Sequence, residues 1–310
     1  PKHVYDLCTN LKDVKIYIAS PLMDPYGKKY QECSIEHFRL PHRKFRIRKL
    51  FGLLMFCKKN NITTVHSHGR GAGIYSRFLA LFGFRVIHTF HGLHNYKGVK
   101  ARINLMLERC LSILTDTFIS VSNSEKKHAK NLGLAKNIEV IINGIDLEDY
   151  KEVTAPKLNI LGAISRLDNH KNNEELIKFM VNIEGYTLKI AGEGQDRKHL
   201  EQIIADLNLE EKVKLIGEVS DIKLFLNEID VYVSSSRSEG LPYSLLEAMV
   251  SNKKILVSKV SGHIDLLNHE NMYTLGDIYD FKKKLSRASI ANTRDLISVK
   301  EMAEKVNYLY

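Results

Sequence analysis

Residues 229–249 read IDVYVSSSRSEGLPYSLLEAM, and no other stretch of the chain restricts its fold so tightly. The apolar run 229–233 has the character of a buried strand and ends in a serine-rich turn that carries Gly240. Pro242 then opens a helix, where its missing N–H is harmless because the first turn has no intrahelical acceptor for it. Such a turn presents free backbone N–H groups at the positive end of a helix dipole, a setting suited to a phosphate or diphosphate. Two carboxylates, Glu239 and Glu247, bracket it eight positions apart. Glu247 falls one turn beyond Tyr243 among Leu245, Leu246, Ala248 and Met249, side chains that a helix buries. A carboxylate in that company needs a hydrogen-bonding partner, which a hydroxyl-rich ligand supplies.

The same alternation of strand and helix recurs on both sides of this stretch. Strands are expected at 14–20 and 62–68, within 86–95, before the serines at 122–124 and within 137–150, then at 158–164, 187–194 and 212–220 and within 252–267, with helical runs between them. With 310 residues, 44% of them hydrophobic, the chain is long enough for two α/β domains with parallel sheets. The expected division is 1–152 for the first domain and 157–296 for the second, joined by a linker at 151–157 that contains Pro156; a helix in 297–310 closes the chain. A helical run at 3–11 precedes the strand at 14–20, whereas doubly wound domains begin with a strand and a glycine-rich turn. A first strand and its loop are therefore expected to be missing from this sequence.

No apolar run reaches the roughly 18 residues of a membrane span, and 51–57 is the longest candidate. The opening PKHVYDLCTN lacks the apolar core of a secretory signal. Cys8, Cys33, Cys57 and Cys110 form no metal-ligand spacing, which suits buried free thiols in a reducing cytoplasm. Net charge is +10, and its excess lies in the first half: residues 1–150 hold 24 Lys+Arg against 12 Asp+Glu, the rest 22 against 24. The segment 37–59 alone holds Arg39, Arg43, Lys44, Arg46, Arg48, Lys49, Lys58 and Lys59 with no acid. Within it Ile47, Leu50, Phe51, Leu54 and Met55 trace one face of a helix expected to pack on a sheet. A basic, aromatic-containing segment ahead of an amphipathic helix suits an anionic bilayer surface as well as a merely solvated face, and places the protein at the inner face of the cell membrane.

Three further features bear on chemistry. Glycines 69, 71 and 73 follow a strand, but without GxGxxG spacing or an acid about 20 positions on; they fit close strand–helix packing better than a dinucleotide site. His88 and His91 fall at a strand end and His94 in the loop beyond, with no helix to align them and no Cys or carboxylate nearby, so no metal is assigned. Arg166 and Lys171 follow the strand at 158–164, where two cations could stabilise charge developing on a leaving diphosphate. No Asp-x-Asp pair is present to hold a divalent ion.

EGLPYSLLEAM, with its Glu-x7-Glu spacing, resembles the signature of retaining glycosyltransferases of the GT-B fold, family 4. The resemblance runs through nearly all of the second half and more loosely through the first, where TFHG and NGID are its traces. It implies two Rossmann-like domains facing a central cleft, with the last helix crossing back to the first domain. Arg166 and Lys171 would grip the donor diphosphate, Glu239 would contact the donor sugar with His91, and Glu247 would hold the ribose. Gly240, Leu241, Tyr243, Ser244 and Leu245 would line the nucleotide, with Gly192 and Gly194 beside it, while backbone around Gly217 and Val219 would read the base. Two departures are Asn252, where glycine usually ends the helix, and Gly262, half of a usual Gly-Gly turn. The expected activity is transfer of a sugar, from a UDP-sugar in preference to other nucleotide sugars, to a hydroxyl of an anionic, lipid-linked saccharide in bacterial surface glycan synthesis. The nucleotide sugar is a co-substrate and no cofactor is expected. Three alternatives stay open: an epimerase of the same fold would need no acceptor, a nucleic-acid binder would use the charge but not the two glutamates, and an NAD-dependent oxidoreductase lacks its acidic residue.

Overall fold

The computed structural model describes residues 1–23, 26–42, 44–93, 98–134, 137–147 and 159–310; the expected linker, His94 and Arg43 lie outside them. The chain divides into two compact units, residues 1–144 with 297–310, and residues 145–296.

In the first unit, β1 (Tyr17–Ser20) and β2 (Glu36–Arg39) form a two-stranded parallel sheet. Strands β3 (Thr64–His68), β4 (Arg85–Thr89), β5 (Thr117–Ser120) and β6 (Ile138–Val140) form a four-stranded parallel sheet in that order. The helix Ile47–Lys59 buries Leu50, Leu53, Leu54, Phe56 and Cys57 against Tyr75 and Leu79. Ile47, Phe51 and Met55, expected on that packed face, are instead 56%, 57% and 65% exposed. The apolar arc of this helix is wider than its packing partner, so an i, i+4, i+8 stripe is left facing solvent. Gly73 lies against His88: a Cβ there would stand 2.7 Å from the imidazole Cε1, which accounts for the glycine by strand–helix packing. Arg77, 1% exposed, is held by Glu108 at 2.7 Å. The cysteines are free thiols, yet only Cys57 is buried and Cys110 is exposed, contrary to the expectation that all would be interior. The closing helix, Val299–Asn307, places Val299, Met302, Ala303 and Val306 in one cluster with Leu7, Ile87, Ile119 and Ile141.

The second unit is one sheet of β7 (Ile160–Ile164), β8 (Thr187–Ala191), β9 (Val213–Gly217), β10 (Val231–Ser234), β11 (Lys254–Ser258), β12 (Met272–Tyr273) and β13 (Ser289–Ile290). Its order is β9-β8-β7-β10-β11-β12, all parallel, with β13 antiparallel on β11. The first strand of the unit thus lies beside the fourth, paired Leu161 to Val231 and Gly162 to Tyr232. From this pair the chain departs in opposite directions, which opens a crevice beyond the carboxyl ends of β7 and β10. Among the described residues no helix is long and apolar enough to cross a membrane.

Candidate active site

The two turns that leave β7 and β10 are where the sequence singled out its cations and its first glutamate, and the fold stitches those turns together. Ser235 Oγ donates to the Asn172 carbonyl at 2.8 Å, and Asn172 Nδ2 donates back to the Ser235 carbonyl at 3.2 Å. Arg237 adds Nη2 to Asn172 Oδ1 at 2.6 Å and Nε to the Asn169 carbonyl at 3.1 Å. Asn172 holds φ 55°, a left-handed turn that asparagine tolerates because its side chain bonds locally. Across this junction Lys171 Nζ donates to Glu239 Oε1 at 2.5 Å, with the two side chains 16% and 10% exposed. Burial, the largest single influence, pushes the Glu239 carboxyl up, but the Lys171 ammonium, His263 and a hydrogen bond from Ser236 together hold the group below its ordinary value.

The pair unites residues assigned to different parts of a donor, Lys171 to the diphosphate and Glu239 to the sugar. One N–H of the ammonium serves Glu239, and its geometry provides two more donors for an anion. Arg166 is 61% exposed and meets Asp168 Oδ2 at 3.2 Å, a surface pair weak enough to exchange for a phosphate. The serine-rich turn ends at Pro242, which caps the helix Tyr243–Val250 rather than starting it; its carbonyl receives the Leu246 N–H at 3.3 Å. Glu247 is 2% exposed between the buried Leu246 and Ala248, as its spacing implied. Tyr232, on β10, bonds Ser244 Oγ at 2.8 Å; burial raises its hydroxyl, and the carboxylates of Glu239 and Glu247 push it the same way. Gly240, Leu241 and Leu245 are buried while Tyr243 and Ser244 are half-buried.

Glycines 192 and 194 are accounted for by backbone contact, and Gly217 by its left-handed φ of 79°. A Cβ on Gly192, at φ 137°, would lie 1.9 Å from the Ser165 carbonyl oxygen, and one on Gly194 2.2 Å from that of Leu167. Gly192 N–H also donates to the Gly217 carbonyl at 2.7 Å, so the exits of β7, β8 and β9 pack edge to edge. Val219 is half-buried beyond β9.

Sequence reasoning missed four members of this neighbourhood: Asn172, Ser235, Arg237 and His263. The first three lay in runs too polar to rank. His263 is fully buried, with Nδ1–H to the Ser258 carbonyl at 2.8 Å, and burial keeps its imidazole below the ordinary value. Its one signal was the preceding Gly262, at φ 80°, where a Cβ would stand 2.1 Å from the Gly240 carbonyl oxygen. This locks the turn after β11 onto the turn after β10.

His91 belongs to the first unit, just beyond β4. Its Nε2 lies 3.1 Å from His68 Nδ1, and the next residue, Gly92, donates its N–H to the buried Glu125 at 2.6 Å. His88 is turned elsewhere, bonded to Ser67 Oγ at 2.9 Å in the interior.

Residues 144–306 match the family model described as Glycosyl transferases group 1, and residues 2–149 match Glycosyltransferase Family 4. The O-antigen biosynthesis glycosyltransferase WbnH of Escherichia coli is 30% identical over 244 residues, 77% of this chain and 70% of the relative. The E. coli UDP-Gal:alpha-D-GlcNAc-diphosphoundecaprenol alpha-1,3-galactosyltransferase is 29% identical over 322 residues, 90% of this chain and 80% of the relative. Among solved structures, Anabaena HepE in complex with UDP and glucose aligns with TM-score 0.79 at 17% identity, over 99% of this chain and 90% of that one. The lipopolysaccharide outer core galactosyltransferase WaaB aligns with TM-score 0.64 at 17% identity, over 96% of each chain. The chain is thus a glycosyltransferase of the glycosyl transferases group 1 family, built on the GT-B fold.

Proposed function

We propose that this chain transfers a sugar, with retention of configuration, from a UDP-sugar to a hydroxyl of a lipid-linked saccharide at the inner face of the cell membrane. The observation that carries the proposal is the Lys171–Glu239 pair, set at the reversal of strand order with Glu247 buried in the helix that follows. A nucleoside diphosphate fits this arrangement: Lys171 and Arg166 offer cations to the diphosphate, and Glu247 offers a carboxylate to a ribose diol. The donor is assigned to residues 157–296, with Gly240, Leu241, Tyr243, Ser244 and Leu245 along the nucleotide, and the acceptor to residues 1–152. His91 is assigned to the donor sugar on the resemblance alone. The names of the E. coli galactosyltransferase and of the HepE complex support UDP as the nucleotide and a lipid diphosphate as the acceptor's anchor. Retention is assigned to same-face attack assisted by the leaving phosphate, with no enzyme-bound glycosyl intermediate.

The test is a thermal-shift comparison of UDP, GDP and ADP. UDP should raise the unfolding temperature most, and Glu247→Gln, which keeps shape but not charge, should remove most of the shift. Transfer should survive EDTA, because the proposed diphosphate partners are Arg166 and Lys171 rather than a metal. Equal response to all three nucleotides in the parent and in Glu247→Gln sinks the assignment of the ribose.

A further inference from the structure

Most buried side-chain polar atoms find a hydrogen-bond partner, but Nε2 of the fully buried His263 has none among the described residues. The turn that carries this residue, after β11, is fastened to the turn that carries Glu239. Ser258 Oγ donates to the Ser236 carbonyl at 2.7 Å, Ser261 Oγ donates to the Glu239 carbonyl at 3.1 Å, and Gly262 packs on the Gly240 carbonyl. The Nδ1–H bond of His263 to the Ser258 carbonyl fixes the tautomer and leaves the lone pair on Nε2. Keeping that nitrogen from water costs free energy that no contact of the ring offsets.

The charged groups that act on the ring are Glu239, from the turn after β10, and Lys171, from the turn after β7. Burial above all, and the Lys171 ammonium with it, disfavour an imidazolium, while the Glu239 carboxylate and the Ser258 carbonyl favour one; the balance lies below the ordinary value, so the ring is uncharged at neutral pH. Glu239 Oε1 already accepts from Lys171, and a carboxylate offers about four lone-pair sites. A lysine or arginine in place of His263 would claim the remaining sites with a second cation, and an acid would repel the carboxylate. A neutral imidazole does neither.

We propose that His263 is a positioning residue for Glu239, an uncharged wall beside the carboxylate that keeps it on Lys171 and leaves its other lone pairs to hydroxyls of the donor sugar, a role that rests on the assignment of the donor to this crevice. Two measurements test it, one of them without a donor. In the free protein labelled with 15N-histidine, the NMR signals of His263 should show Nδ1 protonated and Nε2 bare at neutral pH. The titration midpoint should fall further in Glu239→Gln, because the carboxylate that favours the imidazolium is gone. His263→Asn, whose amide can keep the bond to the Ser258 carbonyl, should bind UDP as the parent does in thermal-shift titrations. The same variant should bind UDP-glucose and UDP-galactose about 10-fold more weakly or worse, since a displaced Glu239 no longer meets the sugar. A histidine that only held the fold together would weaken UDP and the UDP-sugars alike. Nε2 protonated at neutral pH, a midpoint unmoved or raised in Glu239→Gln, or UDP and the UDP-sugars responding equally to His263→Asn overturns the proposal. A parent that binds none of the three nucleotides overturns the donor assignment instead, and the NMR titration then decides by itself whether His263 acts on Glu239.

Discussion

At the scale of single residues, the Lys171–Glu239 contact decides how the donor turn responds to pH. The Glu239 carboxyl is held below its ordinary value, so the contact adds stability that is fully present above the unfolded value of 4.5 and is lost as pH falls through the lower folded value. The gap in unfolding free energy between parent and Glu239→Gln should therefore narrow on acidification below about pH 4.5, as denaturant titrations at several pH values will show; a gap that widens contradicts the sign. Lys171→Ala should lose transfer activity and leave the largely buried Glu239 carboxylate without its cation, at a cost of up to about 3–5 kcal/mol. Gly194→Ala forces a Cβ onto the backbone of Leu167, which cannot swing away as a side chain would. It should destabilise the second unit by about 1–3 kcal/mol with no change in the ligands offered to a donor.

At the scale of elements, the helix Ile47–Lys59 is two surfaces on one cylinder. Its buried stripe is core, while Ile47, Phe51 and Met55 stand in solvent beside Arg46, Arg48 and Lys49 with no acid in the segment. The proposed membrane location would use that pattern, since each basic residue near an anionic surface contributes about 1 kcal/mol. Flotation with vesicles should show binding that rises with the fraction of anionic lipid, falls with salt, and weakens about 10-fold or more in a Phe51→Ser, Met55→Ser double variant. Binding indifferent to lipid charge would falsify the membrane reading. The same unit carries a test of packing: Glu108→Ala strands the buried Arg77 and should cost about 3–5 kcal/mol.

At the scale of the whole molecule, each unit has its own core, and the last helix belongs to the first of them. Calorimetry should reveal this. Met302→Ala, at a fully buried position, should lower the stability of the first unit by about 2–5 kcal/mol, whereas UDP should stabilise the second by mass action. Both perturbations acting on one shared transition would show that the units unfold as one.

What the sequence by itself determined is whatever depends on neighbours along the chain. The strand–turn–helix grammar, Glu247 inside an apolar helix, and cations just after a strand are local patterns, since backbone geometry and hydrophobic periodicity repeat within a few residues. Residues that serve through distant partners left no such trace. Lys171 and Glu239 are 68 positions apart, His3 and Asn143 are 140 apart, and Arg237, Asn172 and His263 earn their places only once two turns meet. The exposed stripe of the helix Ile47–Lys59 was equally hidden, because an apolar arc records what a helix can bury and not how wide a partner it meets. Tertiary structure decided these matters because chain closure brings together side chains whose separation in sequence carries no information about their separation in space.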